Sequence, residues 1–232
     1  YDSGPGDGQG QDLVRSVIIP AVGRLGRSAP ERIVISHGDL DHAGGIGGLA
    51  THYPDARWNV NMPGHRWSNA PCLEGLKWNW SGFEFEALHP SPGLPYLGND
   101  SSCVLSVAGN SASVLLPGDV SSAVESRLLA ADSGRHRVLI VPHHGSMTSS
   151  SEEFIAMVQP EIAIATTGLG NRFGFPREEI RQRYLSAGSH FWSTDTCGAL
   201  RVRMADDGSV QSDSARRERK AIWRWPAAAD CP

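Results

Sequence analysis

Apolar and polar positions fall into blocks that predict alternating strands and helices. Arg32-Ile33-Val34-Ile35 is a β-branched run of the kind that forms a buried strand, and Ile46 to Ala50 opens a helix despite its glycines. Ahead of them, Asp2 to Gly8 is a turn-rich loop, and Leu13 to Val22 carries helical spacing predicted to end near Pro20. Residues Arg57 to Met62 alternate as a short strand, and Trp78 to Leu88 as one half-buried strand, followed by a loop from Pro90 to Pro95. Cys103 to Val107 and Ala112 to Leu116 read as a hairpin across Gly109-Asn110. A helix over Ser122 to Ala131 then leads to the apolar strand Val138 to Val141. Glu152 to Val158 is helical, with Ser149 to Ser151 as N-cap candidates and two glutamates at the positive end of the dipole. Ile162 to Ala165 forms another strand, Arg177 to Ser186 another helix, and Ala199 to Met204 the last strand.

Where the first strong strand hands over to a helix, the chain reads Ser36-His37-Gly38-Asp39-Leu40-Asp41-His42-Ala43-Gly44-Gly45. Four groups able to bind a metal, His37, Asp39, Asp41 and His42, lie within six positions. A loop must gather them, and glycine at 38, 44 and 45 permits the close backbone approach this needs. Two later strands deliver similar groups at their carboxyl ends. Val114-Leu115-Leu116-Pro117-Gly118-Asp119 offers a carboxylate suited to bridging two ions, and Leu139-Ile140-Val141-Pro142-His143-His144-Gly145-Ser146 offers adjacent imidazoles.

With 232 residues and 40% hydrophobic content, the chain is long enough for one compact domain with a sizeable core. The formal charge of −4 and a pI near 6.1 exclude a strongly basic nucleic-acid coat, though not a local basic surface. No apolar run approaches the ~18–20 residues of a membrane span, and no signal peptide is expected within this stretch. Cys72, Cys103, Cys197 and Cys231 match no zinc-finger spacing; Cys103 reads as core, and the others can pair in an oxidising compartment. The opening Tyr1-Asp2-Ser3-Gly4 reads as the end of a strand already under way, so a domain cut from a longer protein is expected.

The motifs YDSGPG at 1–6, HGDLDH at 37–42, LLPGD at 115–119 and VPHHGS at 141–146 resemble the metallo-β-lactamase fold. More specifically, ISHGDLDHAGG, NDSSCVL, LLPGD, VPHHGSMTSSS and NRFG, in this order, resemble the carboxyl-terminal domain of the ComEC competence proteins. The resemblance runs from Tyr1 to about Met204. It implies an α/β four-layer αβ/βα sandwich lacking its first strand or strands here, with metals at one sheet edge. It divides the chain into a domain over 1–210 and a basic, aromatic tail over 211–232.

For the site, the resemblance and the residue chemistry together suggest two divalent ions. His37, Asp39 and Asp119 hold one; Asp41, His42, Asp119 and His144 hold the other, with Asp119 bridging. Three carboxylates favour Mn2+, with Zn2+ or Mg2+ also compatible. Asp100 is a further candidate ligand, and Asp2 a ligand or a supporting residue behind the ligands. Asp41 and His143 are the catalytic candidates; His143 is the runner-up for metal ligand and otherwise a proton donor to the leaving oxygen or a phosphate contact. Ser146, Ser149, Asn171 and Arg172 are candidate contacts to substrate phosphate. The family usually carries histidine where this chain has Phe175, so that contact is absent.

His52, His65, His89, His136 and His190 read as ordinary surface or core positions, and Trp58, Trp67, Trp78, Trp80 and Trp192 as core more than as base-stacking groups. The segment Arg216 to Trp225 reads as a solvated terminal helix or as a tracker of a phosphate backbone. The expected function is a metal-dependent nuclease that degrades one strand of incoming DNA during transformation. Its DNA partner is a single strand or duplex end; the others are a membrane channel in the same full-length protein and further competence proteins. The implied location is the outer side of a bacterial cytoplasmic membrane, with the fragment itself soluble. The alternatives are a DNA-guiding module without catalysis, or a phosphoesterase acting on a smaller substrate.

Overall fold

The computed structural model describes all residues except 7–12, 27–28, 67–69, 112, 132, 206 and 219–228. It divides into two compact units, Tyr1–Leu76 with His89–Val104, and Lys77–Leu88 with Leu105–Pro232.

In the first unit, β1 (Arg32–Ile35) pairs in parallel with β2 (Arg57–Val60), with Ile33 opposite Trp58 and Ile35 opposite Val60. A π-helical segment Val14–Ile18 continues as α1 (Ile19–Arg24). Pro20 therefore lies at the junction of the two helical segments and does not end the helix. Short helix α2 (Leu40–Ala43) and α3 (Ile46–His52) follow β1. Val14, Ile33, Ile35, Ala43, Leu49, Tyr53 and Val60 form the core, with Trp58 packed against it. Apolar side chains of the helices on one side, and one face of β1 carrying Ile33 and Ile35 on the other, account for this packing.

The second unit is built on a seven-stranded sheet in the order β3-β4-β5-β6-β7-β8-β9. The stretch expected as one strand over 78–88 is instead a hairpin of β3 (Lys77–Trp80) and β4 (Phe83–His89). Ser81 and Gly82 both take positive φ between them, the geometry a two-residue hairpin turn requires. β5 (Val104–Ala108) and β6 (Ser113–Leu116) pair antiparallel, as the Gly109-Asn110 signal implied. From β6 the pairing becomes parallel through β7 (Val138–Ile140), β8 (Ile162–Ala165) and β9 (His190–Ser193). All four residues of β8 are buried, as a central parallel strand demands. The intervening helices are α4 (Ser122–Ala130), α5 (Glu152–Val158), α6 (Glu178–Ser186) and α7 (Thr194–Cys197).

β10 (Leu200–Met204) is not the last strand. It pairs antiparallel with β11 (Val210–Ser214), and α8 (Ala215–Glu218) follows. The boundary expected at residue 210 thus falls inside a strand pair, and Cys231 is joined to Cys197 by a disulfide. Arg219, Lys220, Trp223, Arg224 and Trp225 of the expected tail lie outside the described residues. Cys103 is buried, as expected of a core residue, but it is also bonded to Cys72. No helix among the described residues is long and apolar enough to cross a membrane.

Candidate metal centre

In the first unit, the candidate ligands emerge from the end of β1. Ser36 ends the strand, and its N–H and hydroxyl donate to the Asp2 carboxylate at 2.7 and 2.9 Å. The same carboxylate accepts from His42 Nδ1 at 2.8 Å. His37 Nδ1 lies 3.0 Å from Ser36 Oγ and 3.2 Å from Ser102 Oγ. Both rings therefore turn Nε2 the other way, toward Asp39 Oδ2 at 3.8 Å for His37 and Asp41 Oδ2 at 3.9 Å for His42. The rings are buried, whereas Asp39 and Asp41 stand more than half exposed. The glycines make the close approach possible: a Cβ at Gly44 would meet the Gly6 nitrogen at 2.4 Å, and one at Gly45 would meet Val14 Cγ2 at 2.6 Å.

In the second unit, the carboxyl ends of parallel strands β6, β7 and β8 supply the groups. Asp119 follows β6 and is almost fully buried. After β7 the backbone enters the left-handed region at His143 (φ 49°), His144 (φ 55°) and Gly145 (φ 85°). Two consecutive non-glycine residues there cost about 1–2 kcal/mol each, and the turn brings both imidazoles to one carboxylate. His144 Nε2 is 3.5 Å and His143 Nε2 3.7 Å from Asp119 Oδ2. His144 Nδ1 donates to the Thr166 carbonyl at 2.8 Å, at the end of β8, and His143 Nδ1 lies 3.0 Å from Thr148 Oγ1.

One electrostatic feature recurs in both units. In each, Nδ1 of a candidate imidazole (His42, His144) donates to an oxygen, which turns Nε2 toward a carboxylate oxygen 3.5–3.9 Å away. Gaps of 3.5–3.9 Å are longer than a hydrogen bond. A cation at the usual metal–ligand distance of ~2.0–2.2 Å from each atom fits such gaps. Imidazoles fixed from behind by carboxylate or carbonyl oxygens are also the usual way proteins orient metal ligands.

Other expected site residues take different places. Asp2 supports His42 from behind. Asp100 lies on the 3-10 turn Gly98–Ser101, where its carbonyl oxygen is 2.8 Å from His89 Nε2. Ser149 is buried and its hydroxyl donates to the Val120 carbonyl at 2.7 Å, so it is not placed to meet a phosphate. Ser146 is buried beside Thr148, 3.0 Å from its hydroxyl. The Asn171 amide closes its own loop, donating to Phe175 O at 2.7 Å and accepting from Phe175 N at 2.9 Å, so it too is not placed for direct substrate contact. Arg172 is exposed, its guanidinium 4.8 Å from the Phe173 ring centre. Sequence reasoning missed Ser36, Ser102, Thr148 and Thr166 as anchors of the imidazoles. It also missed Tyr96, whose hydroxyl accepts from Gly38 N at 2.8 Å.

The sequence profile of the Metallo-beta-lactamase superfamily matches residues 1–168. Competence protein ComA of Neisseria gonorrhoeae is 33% identical over 193 residues, covering 82% of this chain and 28% of its own length. Recombination protein 2 of Haemophilus influenzae is 32% identical over 209 residues, covering 89% of this chain and 26% of its own. The chain thus spans about a quarter of the length of these relatives. A crystal structure of a candidate metal-dependent hydrolase from Parabacteroides distasonis shares the fold, with a TM-score of 0.51 at 15% identity over 72% of this chain and 77% of that one. The fold class read from the motifs is therefore correct, and the family fold implies divalent metal ions. The chain belongs to the metallo-β-lactamase superfamily, with competence proteins among its relatives.

Proposed function

We propose that this domain is a metal-dependent phosphodiesterase that cuts DNA during its uptake. The observation that carries the reading is that Nε2 of His42 and of His144, each ring fixed from behind at Nδ1, faces a carboxylate oxygen across a gap longer than a hydrogen bond and wide enough for an intervening metal ion. In this reading His37, Asp39 and Asp119 would hold one divalent ion, and Asp41, His42, Asp119 and His144 would hold the other. Three carboxylates among these ligands favour Mn2+. Such a pair of ions, when bound, activates water and neutralises charge on attacking and leaving oxygens. Asp2 and the Thr166 carbonyl fix the tautomers of His42 and His144. His143, steadied by Thr148, donates the proton that the leaving oxygen needs. Arg172, exposed and cationic, offsets phosphate charge.

The competence and recombination names of the relatives support DNA as the substrate. Both disulfides support an oxidising compartment, in keeping with the outer side of a bacterial cytoplasmic membrane. The remaining length of the relatives leaves room for a channel portion as partner, beside other competence proteins.

The test is cleavage of 5′- and 3′-labelled DNA strands across a manganese titration. Shortened products that require the metal, disappear with chelator, and fall at least about a hundredfold in Asp41→Ala and Asp119→Ala are expected, since each removes a ligand. Cleavage by both variants at the parental rate would contradict the proposal. A second reading, a module that guides DNA without cutting it, is favoured by one observation: Phe175 cannot bind a metal or move a proton. That reading predicts DNA retention with no turnover under any divalent ion.

A further inference from the structure

Beside the second unit's donors, the loop after β8 presents an unusual surface. Phe173 and Phe175 lie nearly parallel, their ring centres 5.6 Å apart and planes 19° from each other. Phe175 in turn meets the His143 ring edge-on at 6.0 Å, so the aromatic row begins at the proposed proton donor. Arg172 and Arg177 set their guanidinium groups over Phe173 and Phe175 at 4.8 and 5.6 Å. Both arginines are exposed, and among the described residues neither guanidinium makes a hydrogen bond or ion pair, so their N–H groups stay open to an anion. Phe173 is 52% exposed and Leu169, four residues earlier, 61%.

Holding a phenylalanine in water costs hydrophobic stabilisation, yet the loop is built to hold it there. Both polar ends of the Asn171 side chain bond the Phe175 backbone, and Gly174 takes a φ of 65° between the two rings. Arg177 N donates to Gly145 O at 3.0 Å, tying the loop to the histidine turn.

We propose that Phe173 and Phe175, with Arg172 and Arg177, form a stacking platform for the unpaired bases of a DNA strand entering or leaving the metal site. Aromatic rings accept any base face, while guanidinium groups pair with the adjoining phosphates. A base within a duplex has both faces covered by its neighbours, so the platform selects single strands. The proposal rests on the nuclease reading for its substrate and adds the strandedness of that substrate. Asn171 becomes a positioning residue for the platform.

The test is fluorescence anisotropy of labelled strands on the whole chain in chelator, where nothing is cut. Wild-type protein should bind oligothymidylate at least about tenfold more tightly than a closed dumbbell duplex of equal charge. Phe173→Ala should lose about tenfold in affinity for oligothymidylate, the scale of one stacked base. Affinity for an abasic strand of the same length should not change. Phe173→Trp should bind as wild type. Equal binding of oligothymidylate by wild type and Phe173→Ala would overturn the platform. An equal loss on the abasic strand, or a Phe173→Trp loss as large as that of alanine, would overturn it too. Phe173 is half exposed, and unchanged circular dichroism and melting confirm that each variant folds. If binding behaves as described while manganese supports no cleavage, the platform stands and the nuclease reading alone fails.

Discussion

Asp2 shows how much a single side chain behind the ligands contributes. Its carboxylate binds the N–H and hydroxyl of Ser36 and the Nδ1 of His42, so it joins Asp2 to the end of β1 and orients one proposed ligand. Asp2→Ala should therefore weaken Mn2+ binding by about 10–100-fold, the usual cost of losing such a supporting group. Calorimetric titration checks this, and unchanged affinity would mean that His42 is oriented by something else. The ligand candidates themselves were legible because four of them crowd six positions after a strand. Their anchors were not. Thr166 lies 22 residues from His144 and acts through its backbone carbonyl, which no side-chain pattern records. Ser149 and Asn171 were misread because a hydroxyl or amide near a glycine looks the same in sequence whether it meets a ligand or closes a loop.

At the level of elements, the proposed ligands sit where parallel strands end, and the turn after β7 needs help to stay in place. A Cβ at Gly145 would come within 2.6 Å of Pro176 Cβ, so only glycine fits this left-handed corner. Downstream, Ser151 caps α5 through its hydroxyl, and the buried Glu125 of α4 grips the same segment. Glu125 accepts from Ser151 N at 2.9 Å, from Ser151 Oγ at 2.7 Å and from Ser150 N. Glu125→Gln sets an amide N–H against one of these donors, and should cost about 1–3 kcal/mol of stability. Urea unfolding measures it; a loss below ~0.5 kcal/mol would show that the grip is dispensable. The long strands and helices were legible from their periodicity. The β3–β4 turn was not, because Ser81-Gly82 interrupts an alternation that otherwise continues across it. β9 was passed over because its four residues carry too little pattern to register.

Across the whole molecule, both disulfides close loops of about thirty residues, at sequence separations of 31 and 34. In the chain-entropy account, each such crosslink stabilises the fold by about 3–4 kcal/mol. Stability should also depend on pH through His136, buried with Nε2 2.8 Å from Ser106 Oγ. Burial pushes its pKa below the ordinary 6.5, the C=O of Gly134 opposing this only in part. A folded-state pKa below the unfolded one means that the unfolded chain takes up the proton first. The His136 contribution is therefore complete above pH 6.5 and is lost as pH falls toward the folded value. Urea midpoints at pH 7.5 and pH 5 should differ more for wild type than for His136→Gln; equal differences would remove His136 as the cause. Glu125 acts in the opposite sense, because burial raises its pKa and favours the protonated fold at lower pH.

The central claim is that this chain binds divalent metal through imidazoles and carboxylates drawn from the ends of its strands. Mn2+ titration by calorimetry, wild type beside Asp119→Ala, tests it most directly. The account predicts two bound ions per wild-type chain and a loss of affinity of at least about a hundredfold in Asp119→Ala, which removes the shared ligand. Binding of no manganese by the folded wild-type chain, or an unchanged isotherm in Asp119→Ala, would contradict it.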